Sequence, residues 1–171
     1  MIGIVAVSHS PALAEAAREL ALQMGGAEPP RVEIAAGTPD GELGTDAAAI
    51  AEAIGRADSG DGVLVLMDLG SAVLSAETAL EFLDSTAGVR LSPAPFVEGL
   101  VAAVVGAASG SGLEAIAAEL DTALEAKRRQ LGGVGDAGGA SSPDEAAVAP
   151  VAAQEDDPDE VLSFEAQVRN P

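Results

Sequence analysis

Cysteine, tryptophan and tyrosine are absent from these 171 residues, and the chain has only three phenylalanines and one histidine. Without cysteine there is no disulfide, no thiolate metal site and no thiol nucleophile. Because aromatic side chains are so scarce, the core must consist of small aliphatic residues, which suits helices packed closely on a sheet. A glycine-rich loop ending in lysine, as in ATP-binding P-loops, is also missing. We expect neither a metal nor a cofactor.

Basic residues are scarce as well. Eight Lys and Arg stand against 28 Asp and Glu, which gives a formal net charge of −20. Residues 1–131 hold 19 acidic and seven basic side chains, and residues 132–171 hold nine and one. This acidity disfavours nucleic acid and anionic membrane surfaces as partners. A basic leader and a run of about 18 apolar residues are both missing, so we expect a cytoplasmic protein without membrane insertion.

Short apolar runs alternate with segments of helical spacing. Strands are predicted at residues 2–7, 32–36, 62–67 and 89–91. The first predicted helix follows Ser10 as N-cap and Pro11 at its first position, and its apolar positions are Leu13, Ala17, Leu20, Ala21 and Met24. A second helix is predicted from residue 45 to about 56. This alternation predicts an α/β fold in which an open, mainly parallel sheet carries helices on both faces.

Three more helices are predicted. One runs from a Ser71 N-cap to about residue 83, one spans about 96–107, and one spans about 113–130 behind a capping box of Ser111 and Glu114. At Gly132 the composition changes to Gly, Ala, Ser, Pro and acidic residues without apolar periodicity. We therefore predict a folded domain over residues 1–131 and a disordered acidic linker over 132–160, because such a segment buries too little apolar area to fold.

The single histidine, His9, follows the first predicted strand and precedes the first helix. In an open parallel sheet, ligands bind beyond the carboxyl ends of the strands, where residues 8–10, 37–41 and 68–71 are expected to meet. The N–H groups at a helix N-terminus attract phosphate. We predict that His9 is phosphorylated and passes the phosphoryl group on. Asp68 is expected to fix the tautomer of the ring and to support its developing positive charge.

Hydroxyl and backbone N–H groups of the same loops are predicted to bind the phosphoryl oxygens, namely those of Ser71, Ser10, Gly37, Thr38 and Gly70. Each feature also has a simpler interpretation. Asp68 could cap a turn, Ser71 could only cap its helix, residues 37–41 could form an ordinary turn, and a lone histidine is often a surface or core residue. The sequence leaves open whether Thr38, Thr45 or Ser75 touches phosphate or supports a local turn.

Eight collinear stretches resemble the phosphotransferase subunits of phosphoenolpyruvate-dependent dihydroxyacetone kinases, which belong to the mannose-type IIA family. The stretches are residues 7–10, 34–37, 44–47, 63–72, 74–81, 94–99, 107–110 and 123–128. The resemblance implies a mannose-type IIA fold and a homodimer. It implies that His9 accepts phosphoryl from phospho-HPr and gives it to ADP on a kinase subunit, whose ATP then phosphorylates dihydroxyacetone. Asp68 would orient His9, and Ser71 would line the phosphoryl pocket.

Some members of this family continue into an HPr-like domain after an acidic linker. Residues 163–171 resemble the first strand of such a domain, so we expect residues 161–171 to be its truncated start. Three alternatives for the function stay open. They are a IIA component of a mannose-class sugar phosphotransferase system, a receiver-type domain phosphorylated on Asp68, and an anion-binding scaffold without catalysis. A receiver would require acidic metal ligands after the first strand, where this chain has Ser8-His9-Ser10.

Overall fold

A computed structural model describes residues 1–135 of the chain. Its four strands are β1 (Gly3–Ser8), β2 (Val32–Ala36), β3 (Val63–Met67) and β4 (Val89–Ser92). All neighbouring strands are parallel, in the order β2-β1-β3-β4. The predicted α/β class, with an open parallel sheet, is confirmed. Most of the predicted linker at 132–160 and the predicted domain start at 161–171 lie outside the described residues.

Six helices lie within the described residues. They are α1 (Pro11–Met24), α2 (Ala47–Ala57), α3 (Gly70–Leu80), α4 (Phe96–Ala108), α5 (Leu113–Leu120) and α6 (Glu125–Gly135). The single helix predicted over residues 113–130 is wrong, because turns at 121–124 divide it into α5 and α6. The predicted capping box is also wrong. Gly112 is the N-cap of α5, and no side chain caps that end.

The sheet is buried on both faces by two layers of helix. Alternating side chains of a strand point to opposite faces, so Ile4 and Ala6 join α1, α4 and α5 in one apolar cluster. Val5 and Val7 join α2 and α3 in the other. The helices cover the two faces of the sheet, and loops follow the carboxyl ends of the strands. None of the helices in residues 1–135 is long and apolar enough to cross a membrane.

Helix α1 buries alanines rather than leucines. Its buried residues are Ala14, Ala17 and Ala21, whereas the predicted core positions Leu13, Leu20 and Met24 are 43%, 46% and 59% exposed. The predicted apolar face is therefore wrong for those three residues. Small side chains let α1 approach α4 and the sheet closely, in the apolar cluster that all three share. Two large side chains of α1 consequently face outward in its second half.

The direction of the chain connections changes between β1 and β3. After β1 the chain enters α1 on one face of the sheet, and after β3 it enters α3 on the other face. Such a change of side opens a crevice at the carboxyl ends of the two strands, where ligands of doubly wound sheets bind. The residues that follow β1 and β3 are His9 and Asp68. The fold thus brings the predicted nucleophile and its predicted partner to this crevice.

Candidate functional site

His9 lies at the carboxyl end of β1, with its backbone held between two loops. The carbonyl oxygen of Ser8 accepts a hydrogen bond from the N–H of Gly37 (3.2 Å), and that of His9 accepts one from Gly44 (3.0 Å). On the other side, the N–H of Asp68 donates to the carbonyl oxygen of Val7 (3.2 Å). The His9 side chain remains 24% exposed. The backbone is therefore fixed while part of the ring stays accessible.

The Asp68 carboxylate is 6% exposed and accepts three hydrogen bonds. Its Oδ1 lies 3.0 Å from Nδ1 of His9. Its Oδ2 accepts from the backbone N–H of His9 and from the hydroxyl of Ser8, each at 2.9 Å. Because both oxygens are held, the plane of the carboxylate is fixed and Oδ1 points at the ring. The simpler interpretation of Asp68 as a turn cap does not account for the contact with Nδ1.

Opposing influences act on the charge of Asp68. Burial of the carboxylate raises its pKa. This effect is outweighed by the hydrogen bonds from the His9 backbone, the His9 ring and the Ser8 hydroxyl, together with the charge of the ring. The pKa of Asp68 therefore lies below the ordinary value of 3.8. Asp68 is therefore ionised at neutral pH and can only accept hydrogen bonds. It follows that Nδ1 of neutral His9 carries the proton and that Nε2 carries the lone pair.

The lone pair on Nε2 points toward the start of α3. The Ser71 hydroxyl lies 2.9 Å from Nε2 and acts as donor to it. The N-cap of α3 is Leu69, and no side chain caps this N-terminus. The first N–H groups of a helix have no partner inside the helix, and they attract anions. Nε2 is thus a nucleophilic atom beside hydrogen-bond donors, an arrangement suited to receiving a phosphoryl group.

Comparison with known proteins bears on this geometry. Residues 3–117 match the family described as the fructose IIA component of the PTS, and this range is more than half of the chain. The chain belongs to the mannose-type IIA family. The IIA domain occupies the folded residues that carry the crevice, so the resemblance inferred from the eight sequence stretches is confirmed.

Its similar proteins include phosphoryl donor subunits of phosphoenolpyruvate-dependent dihydroxyacetone kinases, named DhaM. The one from Escherichia coli K12 is 50% identical over 136 residues, which cover 77% of this chain and 29% of that protein. Dihydroxyacetone kinase 2 of Listeria innocua has a donor subunit that is 40% identical over 122 residues, or 70% of this chain and 97% of that subunit. The chain therefore spans less than a third of the Escherichia coli relative but nearly all of the Listeria one.

A solved structure has the same fold. It is the crystal structure of a protein of unknown function, with 38% sequence identity and a TM-score of 0.60. The match covers 68% of this chain and 90% of that one. This likeness supports the assignment of the α/β fold to the IIA domain, and it adds no information about the reaction.

Ser10 and Gly70 are neighbours in sequence of the two residues whose side chains meet, since Ser10 follows His9 and Gly70 precedes Ser71. Ser10 is the N-cap of α1, and its hydroxyl accepts from the N–H of Leu13 (3.3 Å). Gly70 is the first residue of α3, directly before Ser71. A Cβ at Gly70 would meet no neighbour within 4 Å, so the space on that side of the residue is open. Binding of phosphoryl oxygens by these two residues remains a prediction.

Gly37 and Thr38 both have hydrogen-bond partners in the chain, that of Gly37 at the end of β1 and that of Thr38 within its own loop. The N–H of Gly37 is used by the Ser8 carbonyl, and the positive φ of Gly37 (+77°) brings the loop against Pro11, with which a Cβ would collide at 2.9 Å. The Thr38 hydroxyl accepts from the N–H of Glu42 at 3.1 Å. These contacts shape the loop beside His9. The predicted role of Gly37 and Thr38 in phosphoryl binding stays a prediction.

Ser8 belongs to the hydrogen-bond network around His9, although sequence reasoning did not single it out. Its side chain is fully buried, donates to Oδ2 of Asp68 and accepts from the N–H of Ser10 (3.1 Å). It thus links the two strand ends beneath the ring. The signal was a polar residue at the end of an otherwise apolar strand, directly before the histidine. Ser71, in contrast, does not cap its helix as predicted, because its hydroxyl faces His9 instead.

Thr45 and Ser75 connect the loop before α2 to α3. Their hydroxyl oxygens are 2.7 Å apart, and both residues are half-buried. The contact holds the loop that carries Gly44 against the helix that carries Ser71. We infer a supporting role for this pair. No group of three His, Cys, Asp or Glu side chains that could hold a metal ion is present among residues 1–135.

Proposed function

We propose that Nε2 of His9 accepts a phosphoryl group from a protein donor and passes it on, and that the chain is a phosphoryl donor subunit of a phosphoenolpyruvate-dependent dihydroxyacetone kinase. One observation carries the chemical part of this proposal. The ring is held through Nδ1 by a buried, ionised carboxylate, while Nε2 faces partly open space beside the N-terminus of α3. The printed names of the relatives support the biological part.

The proposed step is an in-line displacement at phosphorus. The Nε2 lone pair of His9 forms the new P–N bond as the P–N bond to the donor imidazole breaks, and the departing imidazole keeps the electron pair. His9 becomes positively charged while Nδ1 keeps its proton. The negative charge of Asp68 stabilises that ring through the 3.0 Å contact. In the second step an oxygen of the acceptor attacks the same phosphorus, and neutral His9 is restored.

The proposed donor is phospho-HPr, and the proposed acceptor is the β-phosphate of ADP on the nucleotide-binding subunit of the kinase. The ATP formed there would phosphorylate dihydroxyacetone. We also propose that the chain acts as a homodimer in the cytoplasm. The names of the relatives, phosphoryl donor subunits of a kinase that depends on phosphoenolpyruvate, support transfer to a kinase subunit. The homodimer and the cytoplasmic location rest on the family resemblance alone.

Reconstitution tests the proposal. The chain is incubated with labelled phosphoenolpyruvate, the general upstream enzyme of the phosphotransferase system and HPr, and the labelled residue is located by mass spectrometry. We expect one phosphoryl group on His9. His9→Ala is expected to fold normally, because it removes a partly exposed side chain rather than core volume, and to take up no label. Equal labelling of His9→Ala and the wild type would refute the proposal.

A IIA component of a sugar phosphotransferase system is the second candidate, because the matching family is described as a fructose IIA component. This candidate shares His9 and its chemistry but has a IIB protein as acceptor. The phosphorylated chain is mixed either with the ADP-loaded kinase subunit or with a mannose-class IIB protein. ATP formation supports the kinase relay, whereas transfer to IIB with ADP unchanged supports the sugar system.

Phosphorylation of Asp68, as in a receiver domain, fits the geometry poorly. Both oxygens of Asp68 are held by donors, and its side chain is 6% exposed, so it is poorly placed to attack a phosphorus atom. A scaffold that only binds anions would not need the lone pair of Nε2 to face the opening. These alternatives predict, respectively, an alkali-labile acyl phosphate and full activity of His9→Ala.

A further inference from the structure

The ring of His9 contacts a different side chain at each of its two nitrogens. Nδ1 lies 3.0 Å from the buried carboxylate of Asp68, and Nε2 lies 2.9 Å from the hydroxyl of Ser71. Both distances fall within the range of about 2.6–3.2 Å that a catalytic proton transfer requires. A hydroxyl, an imidazole and a carboxylate joined in this order activate the nucleophile of serine hydrolases. Ser71 therefore has the contacts of an activated nucleophile.

The protonation of the ring suits such a nucleophile. Ionised Asp68 holds the proton on Nδ1 of His9, so the lone pair of Nε2 accepts from the Ser71 hydroxyl. When the hydroxyl oxygen attacks an electrophile, Nε2 can take its proton, and the carboxylate stabilises the imidazolium that forms. The same carboxylate accepts from the backbone N–H of His9 at 2.9 Å. The backbone that carries the ring is thus fixed relative to its charged partner.

Ser71 is exposed and lies where a strand is followed by a helix. Strand β3 ends at Met67, helix α3 begins at Gly70, and Ser71 is in its first turn. The nucleophilic serine of α/β-hydrolases has the same strand–turn–helix position, where N–H groups at the start of the helix bind the oxyanion of the reaction. Among residues 1–135, the N–H groups of Gly70 and Ser71 donate to no acceptor. They are available for a developing negative charge.

A small, largely apolar cavity lies next to Ser71 along the chain. Its volume is about 290 Å³, and its lining comprises residues 68–70, which directly precede Ser71, and side chains that include Met67, Val73 and Phe96. Ligand pockets usually have volumes of about 300–1,000 Å³, so this cavity suits a short acyl chain. The lining contains a carboxylate but no Lys or Arg, which favours an uncharged acyl group.

We propose that Ser71, His9 and Asp68 form a catalytic triad and that the chain hydrolyses small, uncharged carboxylic esters. The Ser71 oxygen bonds to the carbonyl carbon while Nε2 of His9 takes the hydroxyl proton. The carbon–oxygen bond to the alcohol then breaks, and the departing alkoxide takes that proton from Nε2. Water attacks the acyl-serine with Nε2 as base, which releases the carboxylic acid and restores the Ser71 hydroxyl.

Ester hydrolysis and phosphoryl transfer use the same lone pair of His9. A phosphoryl group on Nε2 would remove the base from the triad, so phosphorylation of His9 must stop ester hydrolysis. The triad itself needs no phosphoryl donor, and the inference therefore goes beyond the proposed function without resting on it.

Hydrolysis of p-nitrophenyl acetate tests the triad. We expect kcat/KM to fall at least about 100-fold in Ser71→Ala and in Asp68→Asn, while Ser59→Ala, at an exposed position, keeps the wild-type value. Thermal unfolding checks that the variants are folded. An accessible imidazole can attack this ester directly, but it would do so in Ser71→Ala as well. Hydrolysis at the wild-type rate by Ser71→Ala or by Asp68→Asn would therefore overturn the proposal.

Diisopropyl fluorophosphate identifies the nucleophilic atom. In the expected reaction the Ser71 oxygen bonds to phosphorus, fluoride leaves, and the hydroxyl proton passes through Nε2 of His9 to solvent. Peptide mass spectrometry should find the phosphoester on Ser71 of the wild type and no adduct on Ser71 in His9→Ala. An adduct on His9 of the wild type, or no adduct at all, would overturn the proposal.

Prior phosphorylation separates this inference from the proposed function. The chain is phosphorylated through phospho-HPr, and its hydrolysis of p-nitrophenyl acetate is compared with that of the unphosphorylated chain. We expect the loss of hydrolysis to equal the phosphorylated fraction. Phosphorylation of His9 with no loss of hydrolysis would overturn the triad and leave the proposed function intact. If Ser71 is labelled in a chain whose His9 takes no phosphoryl group from phospho-HPr, the proposed function fails and the triad stands.

Discussion

Replacement of Asp68 by Asn is the most informative perturbation of this site, because it removes one charge and keeps the shape. Oδ2 accepts from the fixed backbone N–H of His9 and from Ser8, each at 2.9 Å. The Asn carbonyl oxygen will therefore take that position, and its NH₂ group will face Nδ1. An NH₂ group donates, so Nδ1 must then carry the lone pair and Nε2 the proton. The variant consequently holds the ring in the tautomer that cannot attack phosphorus.

The size of the effect follows from the contact that is lost. A hydrogen bond to a charged group contributes about 1.5–3 kcal/mol, and each 1.36 kcal/mol changes a rate about tenfold. We expect Asp68→Asn to accept phosphoryl from phospho-HPr about 10- to 150-fold more slowly than the wild type. Asp61→Asn, at an exposed position, is the control for loss of a carboxylate. Thermal unfolding checks that both variants are folded.

Nitrogen-15 NMR of the unphosphorylated ring reads the tautomer directly. The wild type should show protonated Nδ1 and unprotonated Nε2 at neutral pH, and Asp68→Asn should show the reverse. Transfer at the wild-type rate, or an unchanged tautomer in the variant, would refute the reasoning that Asp68 sets the nucleophile.

Further predictions concern the neighbours of the ring and the pH dependence of stability. Ser71→Ala removes the donor at Nε2 but leaves the carboxylate contact, so we expect a slower phosphoryl transfer in rapid-quench assays, with a smaller loss than in Asp68→Asn. Ser8→Ala leaves the N–H of Ser10 and one oxygen of Asp68 with one partner fewer. In urea titrations this variant should lower the free energy of unfolding by about 1–3 kcal/mol. Ser59→Ala, on the surface, should leave that free energy unchanged. Thr45→Val breaks the contact with Ser75 and should cost about 0.5–1.5 kcal/mol with phosphorylation by phosphoramidate unchanged. Because the folded pKa of Asp68 lies below 3.8, its contribution to stability is complete above that pH and is lost as the pH falls through the folded value. Acid unfolding of Asp68→Asn should therefore lack this contribution, and an identical acid profile for variant and wild type would contradict it.

The sheet and the location of the site could be predicted from the sequence because their signals are local. Apolar runs bounded by turn residues predicted all four strands. The position of His9 between the first strand and the first helix predicted it as a site residue. Ser10 was predicted as the N-cap of the first helix and caps it in the structure, and the second helix, predicted from residue 45, is capped by Asp46. The carboxyl-end rule for parallel sheets then placed His9 near Asp68 without any knowledge of the distance between them.

The wrong predictions arose where tertiary contacts override local preference. In α1, Leu13 and Leu20 have the spacing of a core face, but close packing against α4 selects the alanines instead. The helical spacing of apolar residues after Leu113 continues past Leu120. Residues 121–124 also contain no glycine or proline, so the sequence does not indicate the turns that lie there. Ser71 lies two residues past Leu69, the N-cap of α3, so it is inside the helix and cannot cap it.

Ser8 shows a different limit of sequence reasoning. A single serine at a strand end does not reveal that its hydroxyl reaches a carboxylate 60 positions away. That contact depends on β1 and β3 being neighbours in the sheet, and the order of the strands is not written in any local pattern.

The most direct test of the central claim is the identity of the phosphorylated atom. The chain is labelled with nitrogen-15, phosphorylated through phospho-HPr, and the phosphorus–nitrogen coupling is measured by NMR. The account predicts a single phosphoryl group on Nε2 of His9, stable in alkali and lost in acid, with Nδ1 still protonated. A phosphoryl group on Nδ1, or an alkali-labile one on Asp68, would contradict it.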